Sequence, residues 1–517
     1  MECAVASGHT HARAIGLPDG WVTRLSRQVV LGRTLLWSVF VARITDDGIA
    51  AAHARAARRS PGMQLSSYTH AWPAPGISGT LLAFNTLTYA TALIPRAFLG
   101  SVASARSVEE LRPDRRAIAE QLLGNGLLVR EVSEDIVRLR WYMRTQLKHG
   151  SGLAVTVCPT LDCNCACTYC YQEDLASQRP MTRDTADCVI AWVKRAAIAR
   201  KAEEIKLGFY GGEPLLEPET VLHIGQELRD FCRRHDLRFQ PHVVTNGVLL
   251  AQPLVSSLRD AFGVHTLSCQ VTLDGPPPVH NRRRPFREEQ SGGFAQIERN
   301  LAANRGELDL ALRVTVDETN EESIPELLAY LVDSGLVGDP SGEGQGRVKV
   351  YLAPTRPCGR SCDAHAFALH EFMDAAVRLW EIGAERGLDL CDLQRMTPCM
   401  EFHGNGICIG PDGVLYSCQG FIGMPDMAVG HVAEDKLYAS YVEHLCLEPW
   451  RECPETCTYF PICVGGCRET ALHKYGDWRA RVCDPDGLKA AVEAYATFKF
   501  ASQIQALGRD SIPETGR

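Results

Sequence analysis

Three cysteines have the type and spacing for redox metal chemistry. Cys163, Cys167 and Cys170 lie in the octapeptide CNCACTYC at a C-x3-C-x2-C spacing. That is short enough for three thiolates to converge from one loop on three irons of a [4Fe–4S] cluster, leaving the fourth iron without a protein ligand. An iron left open in this way can accept a substrate or a cofactor. A C-x-x-C pair taken alone fits half of a zinc site or a redox dithiol equally well, and Cys165 adds a fourth thiol to the same stretch.

Further along the chain, YGGEP places Gly211, Gly212, Glu213 and Pro214 in a row. Adjacent glycines let a backbone approach a ligand closely, and a glutamate can accept hydrogen bonds from an ammonium group. The string also suits an ordinary strand-to-helix turn. Thr245 and Asn246 in VVTNG, Asp274 in VTLDGP and Arg313 in LRVTVDETN are further candidates. Asp274 either faces a substrate or caps a turn, and a lone strand arginine more often satisfies a structural carboxylate. Toward the end of the chain a second cysteine system begins at Cys399. Thirteen residues separate it from Gly413, and four more lead to Cys418; Cys453, Cys457, Cys463 and Cys467 then follow at C-x3-C-x5-C-x3-C, with Cys483 apart. Four-thiolate zinc sites would use these residues as readily as iron–sulfur clusters.

The elements that must position these residues are legible as a repeating pattern. From Leu153 to about Leu388, short β-branched runs alternate with amphipathic helical stretches; the runs are LAVTVCP, IKLGFYGG, FQPHVVTNG, LSCQVTLDG, LALRVTVDETN and VKVYLAP. Six βα units in succession predict an α/β fold with a parallel sheet and right-handed crossovers, curled into an incomplete barrel. Function in such folds sits at the C-terminal ends of the strands, where YGGEP, VVTNG and VTLDGP fall. Residues 78–150 read as a small α+β module. Residues 1–77 carry no chemistry and one expected strand, in RTLLWSVFVARI.

Composition narrows the setting. A chain of 517 residues that is 45% hydrophobic can bury a core spread over two or three domains. Twenty-one cysteines without an apolar signal segment or a membrane-length apolar run point to a reduced, cytoplasmic setting in which thiolates hold metal. A net charge of −8 argues against a nucleic-acid partner, and no membrane partner is expected. The basic run from His280 to Arg287 reads as a solvated loop. Cys358 and Cys362 read as bystanders, and Cys3, Cys158, Cys165, Cys188, Cys232, Cys269, Cys391 and Cys446 as buried apolar residues.

The cluster spacing, the aromatic Tyr169 before the last cysteine, and YGGEP one strand downstream together resemble the radical S-adenosylmethionine (SAM) superfamily. The resemblance implies a partial (β/α)6 barrel over residues 151–390. It also implies that SAM chelates the open iron and is cleaved to a 5'-deoxyadenosyl radical, which abstracts hydrogen from an unactivated carbon. Tyr169, Gly211, Gly212, Glu213, Pro214, Thr245, Asn246 and Arg313 are the implied cofactor contacts, and Asp274 an implied catalytic residue beside the cluster cysteines. Residues 391–517 resemble the SPASM extension, which implies two auxiliary [4Fe–4S] clusters. One falls to Cys399, Cys418 and Cys467, with Cys408 a candidate fourth ligand; the other falls to Cys453, Cys457, Cys463 and Cys483. The C-x3-C pair at Cys453 departs from the usual C-x2-C.

In that family the pairing serves ribosomal peptide maturation through cross-links, thioethers or related oxidations, fed by a low-potential flavodoxin- or ferredoxin-type electron donor. Formylglycine formation is disfavoured, because sulfatase maturases place an aspartate where this chain has Gln419. A small-molecule substrate, such as a sugar or nucleoside intermediate, is the alternative, with an auxiliary cluster available for sulfur insertion. A non-catalytic metal scaffold would yield no 5'-deoxyadenosine.

Overall fold

The computed structural model describes residues 63–143, 151–172, 175, 179–287, 293–337, 347–356, 365–392, 405–434, 438–448, 453 and 456–501, with the backbone of Phe40–Val41. A small module comes first. It comprises β1 (Phe40–Val41), β2 (Gln64–Leu65), β3 (Thr69–Pro73), β4 (Thr80–Asn85), β5 (Thr91–Pro95), α1 (Arg96–Ser104), α2 (Pro113–Gly124), β6 (Leu128–Val129) and α3 (Val132–Tyr142). β3, β4 and β5 form an antiparallel meander, β1 joins β5 in parallel, and β2 pairs with β6. Ala83, Ala92 and Ile94 meet Phe98 of α1 and Leu122 of α2 in a core of their own. The expected boundary after residue 77 cuts this sheet, because β3 is hydrogen-bonded to β4 along its whole length. Among the described residues the module therefore takes in β1 and the chain from Met63 onward, and β1 lies within the run RTLLWSVFVARI where a strand was expected.

The repeating region follows as β7 (Gly152–Val157), α4 (Arg183–Ala199), β8 (Glu204–Phe209), α5 (Pro218–Arg234), β9 (Arg238–Thr245), α6 (Gln252–Phe262), β10 (Leu267–Thr272), α7 (Pro277–Arg283), α8 (Gly293–Ala303), β11 (Leu308–Val316), α9 (Ile324–Asp333), β12 (Val348–Pro354) and α10 (Leu369–Glu385). β7 to β12 lie side by side in chain order, all parallel. Each expected run of sequence forms its strand. Strand periodicity sends alternate side chains to opposite faces. Leu153, Val155, Ile205, Leu207, Val243 and Val271 are buried in the main core with the helices. Gln270, Thr272, Arg313 and Thr315 instead line a cavity. The helices present apolar stripes at matching spacing, as Ala186, Val189, Ile190, Val193 and Ala197 do on α4, which Thr182 caps by accepting from the Thr185 N–H at 3.2 Å.

Three more strands extend the same sheet: β13 (Gly406–Ile409), β14 (Val414–Tyr416) and β15 (Ala428–His431). β13 lies parallel to β7, and β14 and β15 follow antiparallel, so one nine-stranded sheet runs from β12 to β15. The expected division near residue 390 is thus bridged by backbone hydrogen bonds. After α11 (Ala439–Cys446), α12 (Phe460–Cys463) and α13 (Arg468–Tyr475), the chain ends its described part in α14 (Pro485–Lys499). That last helix returns to the first module: Trp72 Nε1 donates to Thr497 Oγ1 at 3.3 Å, and His70 Nε2 lies 2.8 Å from Glu493 Oε1.

Candidate active site

A cavity of about 320 Å³ opens at the C-terminal ends of the strands. Cys163, Cys167 and Cys170 line it, brought there by the loop that leaves β7, together with Tyr169, Gly211, Gly212, Thr245, Asn246 and Arg313. The loop is held from behind by the basic segment read from sequence as solvated. Ala166 N donates to Pro285 O at 2.8 Å, Thr168 N to Arg283 O at 2.9 Å, and Arg287 N to Asn164 O at 2.9 Å, while Cys165 and Phe286 form an antiparallel bridge. Residues 283–287 are therefore the second strand of a short ribbon. His280 and Arg283 are buried, at 2% and 4% exposure, which corrects the expectation of a solvated loop. Burial drives the His280 imidazole down to about 4, the Arg284 charge pushing the same way.

The side chains of this ribbon anchor in the strand ends. Arg283 makes two parallel bonds to Asp317, at 2.7 and 2.8 Å, and its guanidinium stands 5.0 Å from the Tyr169 ring centroid. Arg284 donates to the Tyr169 hydroxyl at 2.7 Å, and that hydroxyl donates in turn to Asp274. Asp274 is fully buried and is absent from the cavity wall. Its Oδ2 accepts from Tyr169 and is approached by Arg283 at 3.7 Å and Arg284 at 4.0 Å, while Oδ1 is buried without a hydrogen-bond donor among the described residues. Burial works to raise the Asp317 carboxyl, but hydrogen bonds from Arg283, Thr319 and Thr355 outweigh it and bring it down to about 2.

The glycine pair forms a close wall. A Cβ on Gly211 would lie 2.4 Å from Thr160 O, and one on Gly212 2.2 Å from Asp162 O, so neither position has room for a side chain. Glu213 turns away from the cavity. Fully buried, it accepts from Leu215 N at 3.1 Å, Thr245 Oγ1 at 2.8 Å and Asn246 N at 2.7 Å, tying the end of β8 to the end of β9. Burial pushes its carboxyl up to about 7 against these three donors. Pro214 is buried with it. Neither lines the cavity; both stand behind the wall that Gly211 and Gly212 form.

The opposite wall comes from the C-terminal segment: Gln419, Gly420 and Glu469 face the same cavity, with Tyr171, Tyr210 and Arg356 between. A Cβ at Gly420 would stand 2.6 Å from the Glu469 carboxyl carbon, so the missing side chain is what admits that carboxylate. Glu469 is the one carboxylate among the described residues of the cavity wall. Arg356 donates to it at 3.2 Å, and Tyr171 and Tyr210 share a hydroxyl–hydroxyl bond of 2.6 Å.

Residues 157–335 match the family model described as the radical SAM superfamily. Residues 157–335 are a radical SAM domain. Domains of this kind bind SAM and an iron–sulfur cluster. A cysteine-type anaerobic sulfatase-maturating enzyme of Clostridium perfringens is 21% identical over 336 residues, covering 59% of this chain and 86% of the relative. A GTP 3',8-cyclase of Microcystis aeruginosa is 31% identical over 181 residues, covering 33% of this chain and 50% of the relative. Among solved structures, anSMEcpe with bound AdoMet and the Cp18Cys peptide aligns with a TM-score of 0.49 at 16% identity, covering 69% of this chain and 99% of that one. Streptococcus suis SuiB bound to S-adenosylmethionine aligns with a TM-score of 0.45 at 14% identity, covering 82% and 99%.

The radical SAM domain can be tested for its fit to a cluster. Among the described residues no group of three His, Cys, Asp or Glu side chains is arranged around a single metal ion. A cluster asks something different, since each thiolate binds its own iron and the three stand further apart. Four cysteines, Cys165 among them, line the cavity, glycines keep the facing backbone bare, and Arg284 Nε is a buried donor with no acceptor among the described residues. These features fit a sulfur-rich anionic group.

In the C-terminal segment, burial raises the Cys463 thiol, and nearby Cys453, Cys483 and Cys457 push it the same way. Burial works against the charge of Arg356, but Glu469, Cys467 and Cys418 beside it hold its pKa above the usual value. Cys408 is fully buried on β13, in an apolar cluster with Cys158 and Cys418. Cys399, Cys358, Cys362 and Cys3 lie outside the described residues, and Cys446 is exposed where a buried residue was expected. Arg468, which carried no signal in the sequence, is 1% exposed and donates to the carbonyls of Gly465, Gly466, Trp478 and Ala480 at 2.6–3.1 Å. It pins the turn before Cys467 to the loop leading to Cys483. No helix among the described residues is long and apolar enough to cross a membrane.

Proposed function

We propose that this chain is a radical SAM enzyme that modifies a ribosomal peptide or protein by abstracting hydrogen from an unactivated carbon. In this reading Cys163, Cys167 and Cys170 hold the SAM-binding [4Fe–4S] cluster, and Gly211, Gly212, Thr245, Asn246 and Arg313 form the bed for SAM. Two auxiliary [4Fe–4S] clusters sit further along the chain, one on Cys399, Cys408, Cys418 and Cys467, the other on Cys453, Cys457, Cys463 and Cys483. Bound there, the clusters and SAM supply the electron and the radical. The chain's own residues orient the reactants, and the walls of the cavity keep water from the radical.

The observation that carries the reading is the shared cavity: the cluster-type cysteines and the glycine pair form one wall, and Gln419, Gly420 and Glu469 form the other. A substrate held against the second wall meets the chemistry of the first. Two features support a peptide. Arg287 and Arg356 line the cavity yet are exposed, so its mouth admits a chain longer than the volume inside. The sulfatase-maturating relative, by its name, also acts on a protein. Electrons come from a low-potential flavodoxin- or ferredoxin-type donor, and the cytoplasm provides the reducing setting.

Anaerobic incubation of the reconstituted, reduced protein with SAM tests this. The expected products are 5'-deoxyadenosine and, with a cognate peptide, a mass change on that peptide matching hydrogen loss. Iron and sulfide equal to three cubane clusters are expected. Protein that binds zinc in place of iron, or yields no 5'-deoxyadenosine, refutes the proposal.

A further inference from the structure

The ribbon behind the cysteine loop brings two adjacent arginines into unequal environments. Arg283 is anchored away from the cavity: its two Nη atoms bond Asp317 and Thr319, Asp317 is also held by Thr355 just after β12, and its Nε, a buried donor without a hydrogen-bond acceptor among the described residues, stands 3.7 Å from Asp274. Arg284 is different. Its side chain is 12% exposed and lines the cavity, Nη1 reaches Tyr169 at 2.7 Å and Asp274 at 4.0 Å, and Nε is buried without an acceptor among the described residues. A buried guanidinium N–H left without an acceptor forfeits its hydration with nothing in return. Arg284, unlike Arg283, lines the cavity, where an acceptor from outside the chain can reach it.

Charge counting sharpens the point. Around Tyr169 stand two cations, Arg283 and Arg284, and two anions, Asp274 and Asp317. Asp317 is the bidentate partner of Arg283. Asp274 lies behind Tyr169, away from the cavity wall, so Arg284 is the member of the set that faces the three thiols. It is close enough to influence Cys163, Cys165 and Cys167 alike. Arg287 also lines the cavity, but it is exposed and its Nε donates to Cys165 O at 3.2 Å, where solvent screens its charge.

We propose that Arg284 is a positioning residue for the cluster held by Cys163, Cys167 and Cys170, donating through Nε–H to one of its sulfurs and raising its reduction potential by its charge. This rests on the assignment of those cysteines made above. The reaction concerned is uptake of a single electron from an external low-potential donor, with no proton transferred, so the reduced form carries one more negative charge. A fixed cation stabilises that form more than the oxidised one. Hydrogen bonds to sulfur and net local charge are the levers by which a protein sets such potentials. Arg283 anchors the ribbon and has no direct part.

The test is a redox titration of the anaerobically reconstituted full chain, following the paramagnetic signal that changes shape on adding SAM. Wild type is compared with Arg284→Gln, Arg284→Lys and Cys163→Ala. Arg284→Gln is expected to keep the iron and sulfide content of wild type with a more negative midpoint, and Arg284→Lys to recover part of the shift. A midpoint unchanged in Arg284→Gln overturns the inference. Loss of iron from both arginine variants also overturns it, because Arg284 then serves only to hold the loop. Cys163→Ala separates the two readings: a SAM-responsive signal surviving in that variant refutes the ligand assignment itself, whatever the arginine variants show.

Discussion

Glu213→Gln is the substitution that best separates a supporting role from a contacting one. The wild-type carboxylate accepts three buried hydrogen bonds, from Leu215 N, Thr245 Oγ1 and Asn246 N. The Thr245 hydroxyl can turn to another acceptor, but the two backbone donors cannot. A glutamine amide presents one oxygen and one NH2 group, so one of the two backbone N–H groups loses its acceptor and faces a donor. Leaving a buried N–H unmade costs about 1–3 kcal/mol. For a domain the size of the parallel-strand region this lowers the melting midpoint by on the order of 5 °C. Asn246 lines the cavity, so its displacement should weaken SAM binding by roughly tenfold, about 1.4 kcal/mol. Differential scanning fluorimetry and equilibrium dialysis with SAM read the two effects. Both should move together, and cluster iron should stay at the wild-type level. A Glu213→Gln protein that melts as wild type yet no longer binds SAM would show that this side chain touches the ligand, and the inward placement of Glu213 would be refuted.

Other expectations follow from single contacts. The buried His280 imidazole, held down to about 4 against an ordinary value near 6.5, is neutral when folded and protonates when unfolded. Its contribution is therefore present above pH 6.5 and is lost as pH falls toward 4, amounting to about 2 kcal/mol between pH 7 and 5. Urea midpoints should show that slope flattened in His280→Phe. Gly420→Ala drives a methyl group into the Glu469 carboxylate; product formation should fall roughly tenfold, about 1.4 kcal/mol, while 5'-deoxyadenosine is still released without product. Cys163→Ala should abolish SAM cleavage altogether. Cys453→Ala should spare part of it while product formation stops, and equal turnover in both variants contradicts the division of labour.

What the sequence revealed and what it hid divide along physical lines. The six parallel strands were legible because each is a β-branched run ended by glycine, proline or a polar turn, and such signals are local. The cysteine loop was legible for the same reason, three ligands falling within eight residues. Residues 283–287 were misread because their partner lies more than a hundred residues upstream and the pairing follows no periodic pattern. Their charges look solvated until Asp274 and Asp317 are seen arriving from two other strand ends. Glu213 could not be oriented, since an accepting carboxylate suits an ammonium group or backbone N–H groups equally well. Gly420 and Glu469 illustrate a further limit: a glycine chosen to admit a side chain from another helix leaves no mark at its own position. The boundary after residue 77 failed because β3, with His70 and Trp72, owes its stability to β4 and α14 and not to its own sequence.

The pairing of β13 with β7 has a consequence for how the molecule can be taken apart. β7 delivers the cysteine loop, and its two flanks are covered by β8 and β13. A version of the chain that stops before residue 405 would bare a row of backbone donors and acceptors beside the very strand that carries the thiols. Bare strand edges recruit other chains. The C-terminal fifth thus behaves as a seam-closing part of the parallel-strand region, and dissection into two independently soluble pieces should yield aggregates in place of a working core.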